Sequence, residues 1–179
     1  MKYAVELYFD AETEQKLNEL AQQVADAGIS TKFLEWKTRP HLTLGCFNDV
    51  DEAKCASCLK MFADTHSALP AWLGSVGVFT DSRTIFASPV MTSGMYQFQR
   101  ELHECLQEFD TKGWEWYLPE RWVPHCTLAL AKDDGEEAFL KASELILRNF
   151  RKLAGTFTSV GLVKICFPVQ EIITFDLKG

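Results

Sequence analysis

The chain has 179 residues, of which 47% are hydrophobic and 24% charged, and its formal net charge is −7. That composition excludes intrinsic disorder and fibrous structure, and no stretch reaches the roughly 20 apolar residues of a membrane span. The acidic balance argues against tracking long nucleic acid, which needs a basic surface.

Residues 3–9 read as a strand, and Glu6 and Asp10 interrupt the short apolar run there, so the segment does not read as a secretory signal. Asp10 offers a helix N-cap, with Glu12 and Glu14 in the first turn where the helix dipole favours them. Leu17, Leu20, Ala21 and Val24 keep helical spacing and Gly28 ends the element. Residues 42–47 form a strand. Asp49 and Asp51 introduce a helix carrying Ala56, Leu59 and Phe62, which stops before Pro70. Strands 72–80 and 84–90 are joined by Asp81, Ser82 and Arg83. Ser93 caps a helix whose Met95, Phe98, Leu102, Cys105, Leu106 and Phe109 make one apolar stripe, closed by Gly113. A strand at 125–131, a helix at 136–149 with Phe139, Ala142, Leu145 and Ile146 on one face, and strands 156–166 and 171–177 complete the chain. Several strands are consecutive, so the expected class is α+β rather than a regular parallel sheet.

The sequence also repeats. Pro40-His41-Leu42-Thr43-Leu44 recurs as Pro124-His125-Cys126-Thr127-Leu128, an offset of 84, and Ser75-Val76-Gly77 recurs as Ser159-Val160-Gly161 at the same offset. Flanking helices overlay in nearly the same register. The expectation is an internal duplication: one domain, residues 1–179, of two similar lobes about an approximate two-fold axis.

Side chains two apart on a strand share a face. His41 and Thr43 therefore project together, as do His125 and Thr127, while Leu42, Leu44, Cys126 and Leu128 turn into the lobe cores. Two such strands facing across a cleft bring two imidazoles and two hydroxyls to one point, which suits a phosphodiester. One imidazole takes a proton from water or a ribose hydroxyl and the other gives one to the departing oxygen. The hydroxyls stabilise charge on the phosphorus centre. By contrast His66, at a helix end, and His103, on a face with Gln99 and Gln107, read as solvated.

Six cysteines are present. Cys46, Cys126 and Cys166 lie in apolar strands and Cys105 on an apolar helix stripe, which fits buried, reduced thiols and a cytoplasmic protein. Cys55 and Cys58 form a Cys-x-x-Cys pair, but no second pair completes a zinc site, and the expected metal set is none.

His41-Leu42-Thr43-Leu44 and His125-Cys126-Thr127-Leu128 resemble the paired His-x-Thr/Ser-x signature of the two-histidine (2H) phosphoesterase superfamily, which includes 2′-5′ RNA ligase and cyclic phosphodiesterase proteins. The resemblance covers nearly the whole chain. It implies a bilobal fold, duplicated lobes of mainly antiparallel sheet with flanking helices around a central groove. It also implies metal-independent chemistry, with no cofactor, on nucleotides or RNA termini carrying 2′,3′-cyclic or 2′-5′ linkages, by a monomer without a membrane partner. By the same analogy His125 activates water and His41 protonates the 3′ oxygen, and the reverse direction gives ligation. Gly45 and Ala129 stand where the family often has a basic residue soon after the Thr.

Candidate substrate-binding residues are Tyr8, Trp36 and Trp122, whose rings could stack a base for about 1–3 kcal/mol, and Arg39 and Arg121, which could complement phosphate. Core packing of the aromatics and a solvated surface role for the arginines are the alternatives. Two other readings compete with a phosphodiesterase. A non-catalytic nucleotide- or phosphate-binding module would have no need of two titratable pairs. A metal or redox protein would use His41, Cys46, His125 and Cys126, or the Cys55/Cys58 pair, although His125 and Cys126, as neighbours on a strand, face opposite ways.

Overall fold

The computed structural model describes residues 2–110 and 112–179. Its strands are β1 (Lys2–Phe9), β2 (His41–Phe47), β3 (Leu69–Phe79), β4 (Thr84–Pro89), β5 (Cys126–Leu130), β6 (Leu153–Ile165) and β7 (Gln170–Asp176). All pair antiparallel in one seven-stranded sheet of order β2-β1-β6-β3-β4-β5, with β7 beside β6. The helices are α1 (Ala11–Asp26), α2 (Lys32–Glu35), α3 (Glu52–Thr65), α4 (Ser93–Cys105), α5 (Gln107–Asp110) and α6 (Gly135–Asn149). The class is α+β, as the chain order of elements implied.

Exchanging β1 with β4, β2 with β5 and β3 with β6 leaves the strand order unchanged. The centre of this symmetry is the β3–β6 ladder. Ala71 pairs with Gly155, 84 residues away, and the pairs Leu69–Phe157 and Leu73–Leu153 exchange under that same shift. The halves are interwoven. β6 pairs with β1 of the first half, and β3 pairs with β4 of the second. Each lobe is therefore built from both halves of the sequence.

The outer face of the sheet carries the helices and the main core. On β1, Tyr3, Val5, Leu7 and Phe9 face that core, where they meet Leu17, Leu20 and Val24 of α1 and Leu59 and Phe62 of α3. Alternate residues Ala4, Glu6 and Tyr8 face the other way, and all three are buried. Asp10 caps α1, accepting from Thr13 N at 2.9 Å, and its other oxygen accepts from Thr156 N at 2.6 Å, which ties the helix to β6. For α4 the cap is Thr92, one residue before the expected Ser93, with its hydroxyl accepting from Met95 N at 3.1 Å. The apolar stripe continues to Phe109, but the helix breaks at Leu106 and resumes as α5. Among the described residues no helix is long and apolar enough to cross a membrane.

Candidate active site

The two repeated motifs open β2 and β5. Leu42, Leu44, Cys126 and Leu128 are buried, whereas His41, Thr43, His125 and Thr127 are half-buried on the opposite face. Each strand then bulges at the residue after the Thr. The register jumps from Glu6–Thr43 to Val5–Gly45, leaving Leu44 extra, and from Phe86–Thr127 to Ile85–Ala129, leaving Leu128 extra. A bulge kinks the strand and ends the alternation, so β2 is buried on both faces beyond Thr43.

The imidazoles are held alike. His41 Nδ1 lies 2.6 Å from the Arg39 carbonyl oxygen and His125 Nδ1 lies 2.7 Å from that of Val123. A carbonyl oxygen only accepts, so Nδ1 carries the proton in both rings and Nε2 is left to exchange one.

Two cavities flank the motifs. One, of about 250 Å³, is lined by His41, Thr43, Glu6, Trp36 and Thr38. The other, of about 680 Å³, is lined by His125, Thr127, Phe79, Trp116 and Arg121. Both include Trp114, Tyr117, Thr127 and Leu130, so they form one groove with a histidine from each repeat.

The electrostatics of the two ends differ. His125 stands edge-on to Phe79 at 4.8 Å and lies 5.4 Å from the Phe86 ring. Burial pushes its proton affinity below the ordinary imidazole range, and charge on His41 pushes the same way. At the other end His41 Nε2 faces Glu6 Oε1 at 3.4 Å. Glu6 is 4% exposed, and burial raises its carboxyl above the usual range, opposed by His41 and by the Tyr8 hydroxyl, which donates to Oε2 at 2.9 Å.

The family model of the 2′-5′ RNA ligase superfamily matches residues 37–165, more than half of the chain. The chain belongs to that superfamily. Its fold is similar to that of TT0787 of Thermus thermophilus, with a TM-score of 0.68, 19% identity and coverage of 100% of this chain and 99% of that one. It is also similar to E. coli LigT complexed with NADP+, with a TM-score of 0.60, 13% identity and coverage of 99% and 98%. For E. coli LigT complexed with 3′-AMP the TM-score is 0.56, the identity 15% and the coverage again 99% and 98%. At these identities the likeness is one of fold. No curated protein matches the chain in sequence.

Within this superfamily chain, Trp36 and Arg121 do line the groove. Arg121 is paired with Glu115 at 2.6 Å and lies over the Trp116 ring. Tyr8 does not reach the rim. It is 1% exposed beneath Arg39, whose guanidinium lies 4.1 Å over its ring, so no base can stack on it. Arg39 itself is held by Glu14 at 2.7 Å and Glu171 at 3.8 Å, which balances its charge locally. Trp122 is a buried strut, donating from Nε1 to the Thr43 carbonyl oxygen at 2.9 Å.

Both histidines read as solvated are in fact engaged. His103 is 6% exposed and donates from Nε2 to the Leu44 carbonyl oxygen at 3.0 Å, with Gln99 donating to the same oxygen at 3.3 Å. β2 is an edge strand, and its outward carbonyls take donors from α4 and Trp122 in place of a neighbouring strand. His66 stacks on Phe62 and lies 2.8 Å from Glu101. Burial pushes the Cys46, Cys55 and Cys126 thiols up to about 12, the behaviour of core residues. Cys126 faces the core while His125 faces the groove, so the two cannot ligate one ion.

Sequence reasoning missed Glu6, Phe79, Trp114, Trp116 and Tyr117 as groove residues. Only Glu6 left a signal, a lone carboxylate at an alternate position of an otherwise apolar strand.

Proposed function

We propose that the protein is a metal-independent phosphodiesterase that hydrolyses a 2′,3′-cyclic phosphate or a 2′-5′ phosphodiester of a nucleotide or RNA end. The observation that carries this reading is the matched pair of histidines, each with Nδ1 anchored on the carbonyl two residues earlier and Nε2 left for exchange, opening on one groove beside a Thr. His125, whose charged form is disfavoured by burial, takes a proton from water at Nε2 as the water oxygen bonds to phosphorus. The P–O bond to the ribose oxygen breaks, and that oxygen receives a proton from His41 Nε2. Thr43 and Thr127 donate to the non-bridging oxygens as charge builds there.

The charge of the groove selects among phosphates. Arg39 is tied to Glu14 and Glu171, and Glu6 adds a carboxyl to the lining. This balance favours a monoanionic diester over a dianionic monophosphate, which leaves the product free to depart. The aromatic wall of the larger cavity suits a base, and E. coli LigT, of the same fold, has been crystallised with 3′-AMP and with NADP+.

The test is hydrolysis of the four nucleoside 2′,3′-cyclic monophosphates and of 2′-5′-linked dinucleotides in EDTA, with the His41→Ala/His125→Ala double variant as control. Turnover abolished in the double variant is expected, and the product isomer reports which ester bond breaks. Unchanged turnover in that variant, activity that needs added metal, or no turnover on either substrate class overturns the reading.

A further inference from the structure

In the row across the sheet that carries the motif threonines, the two halves of the groove match on the flanking strands and differ on the middle one. In one half the row across the sheet is Thr43 on β2, Glu6 on β1 and Gly161 on β6. In the other it is Thr127 on β5, Phe86 on β4 and Gly77 on β3. The threonines and the glycines are images of each other under the repeat, so Glu6 and Phe86 occupy equivalent positions, each next to the motif threonine. The glycines are required by what lies over them. A Cβ at Gly77 would come within 2.5 Å of the Phe86 ring, and one at Gly161 within 2.7 Å of the Tyr8 ring. Phe86 thus lies flat over Gly77 and presents a hydrocarbon wall to His125. Tyr8 lies over Gly161 and holds Glu6 through its hydroxyl, with the carboxylate turned to His41.

Building on the phosphodiesterase reading, we propose that Glu6 is the positioning residue that divides labour between the two histidines the repeat places alike: the Glu6–His41 pair retains one proton and serves as the donor, and His125 is left neutral as the acceptor. Glu6 Oε1 and His41 Nε2 face each other at 3.4 Å, and burial makes Glu6 reluctant to stand ionised alone, so the pair keeps a single proton between an oxygen and a nitrogen. Charge on His41 also disfavours charge on His125. When the ribose oxygen leaves, the pair's proton passes to it through His41 Nε2, and the proton taken by His125 from water returns to solvent before the pair reloads. The other charged or titratable groups that interact with Glu6 are Tyr8 on its own strand, Cys46 on β2, Arg39 before β2, Tyr117 in the groove lining, Cys126 on β5 and Glu171 on β7. Glu171 and Arg39 lie 3.8 Å apart and largely offset each other.

The experiment is ¹⁵N NMR of the two imidazoles at neutral pH in the unliganded protein, which needs no substrate and so stands or falls apart from the activity. In the wild type, His41 should show Nε2 protonated or sharing a proton, and His125 the neutral pattern with the proton on Nδ1. In Glu6→Gln, whose amide keeps the Tyr8 hydrogen bond, His41 should change to the His125 pattern. The alkaline limb of kcat/KM should move to lower pH, and the acidic limb should rise as charge leaves His41. Identical patterns for both rings in the wild type refute the proposal even if the variant does not fold. A folded Glu6→Gln with an unchanged His41 signal refutes it as well.

Discussion

His125→Asn is the sharpest probe of the proposed chemistry, because the asparagine amide can still donate to the Val123 carbonyl oxygen that now receives Nδ1–H at 2.7 Å. Local structure is kept and only the Nε2 base is removed. General base catalysis by a positioned side chain contributes about 10²–10⁴-fold, so kcat/KM at pH 7 should fall by that factor, or about 3–5 kcal/mol in barrier. The pH profile adds a second readout. A base must be neutral to act, and burial depresses the proton affinity of His125, so the wild-type acidic limb should lie below the ordinary imidazole value of about 6.5. In His125→Asn that limb disappears, and the residual rate rises with pH as hydroxide replaces the base. Stability moves with a definite sign. Below about pH 6.5 the unfolded chain binds a proton at position 125 that the folded chain resists. The wild type should therefore lose stability relative to His125→Asn as pH falls from 7 toward 5. Initial rates in EDTA from pH 4.5 to 9, with urea midpoints at each pH, measure both effects. A variant within tenfold of wild type at pH 7 that still shows the acidic limb refutes the assignment of His125 as base.

Thr43→Val and Thr127→Val each remove one hydrogen bond to a charged centre, worth about 1.5–3 kcal/mol, so each should lower kcat about 10–100-fold at unchanged Tm; a loss as large as that of a histidine variant contradicts the role. Trp122→Phe removes the donor to the Thr43 carbonyl oxygen and should cost about 1–3 kcal/mol in urea unfolding; a change below about 0.5 kcal/mol, the range of an ordinary surface substitution, would show that the edge of β2 needs no such partner. In Asp10→Asn the amide oxygen can still cap α1 but the second acceptor becomes an NH2, so the expected cost at neutral pH is about 1.5–3 kcal/mol, from the lost charge-assisted bond to Thr156. Burial opposes ionisation of Asp10, but hydrogen bonds from Thr13 and Thr156 outweigh it and hold the carboxyl below its usual range. Its contribution is therefore present above about pH 3.9 and lost as pH falls through the folded value, and the gap between variant and wild type should close in acid.

Periodicity made most elements legible, because each records a local alternation between core and surface. Leu17, Leu20, Ala21 and Val24 of α1 and Leu42, Leu44, Cys126 and Leu128 of the motif strands are all buried. The motifs were legible for the same reason, since two residues apart on a strand means one face. What the sequence hid was non-local. The exchange of β3 and β6 between halves follows from pairing across 80 to 88 residues, which no window of sequence reports. Gln99 and His103 looked like a polar face of α4, yet the edge of β2 leaves the Leu44 carbonyl in need of donors. Tyr8 ends an apolar strand as a rim aromatic would, but Arg39 closes over it. The bulges at Leu44 and Leu128 have no residue signature at all.

The asymmetry of the groove was hidden by the repeat itself. At the offset of 84 that aligns the motifs, Glu6 falls opposite Val90, beyond the end of β4. Sheet register instead equates it with Phe86, because β1 and β4 are displaced by four residues relative to the strands that follow. The scaffold thus carries two matching histidine–threonine pairs, and on the proposed mechanism the difference on the middle strand, Glu6 and Tyr8 in one half against Phe86 and Ser88 in the other, is what makes acid and base distinct. This argument predicts that the two limbs of the pH profile can be moved separately. Phe79 stands 4.8 Å from the His125 ring on the groove side, half-buried, and lines the His125 cavity rather than the Glu6 one. Phe79→Ala admits water to His125, so the acidic limb should rise toward the ordinary imidazole range while the alkaline limb stays where Glu6 and His41 set it. Limbs that shift together in Phe79→Ala would mean that the two histidines titrate as one symmetric unit, and the division of labour would fall.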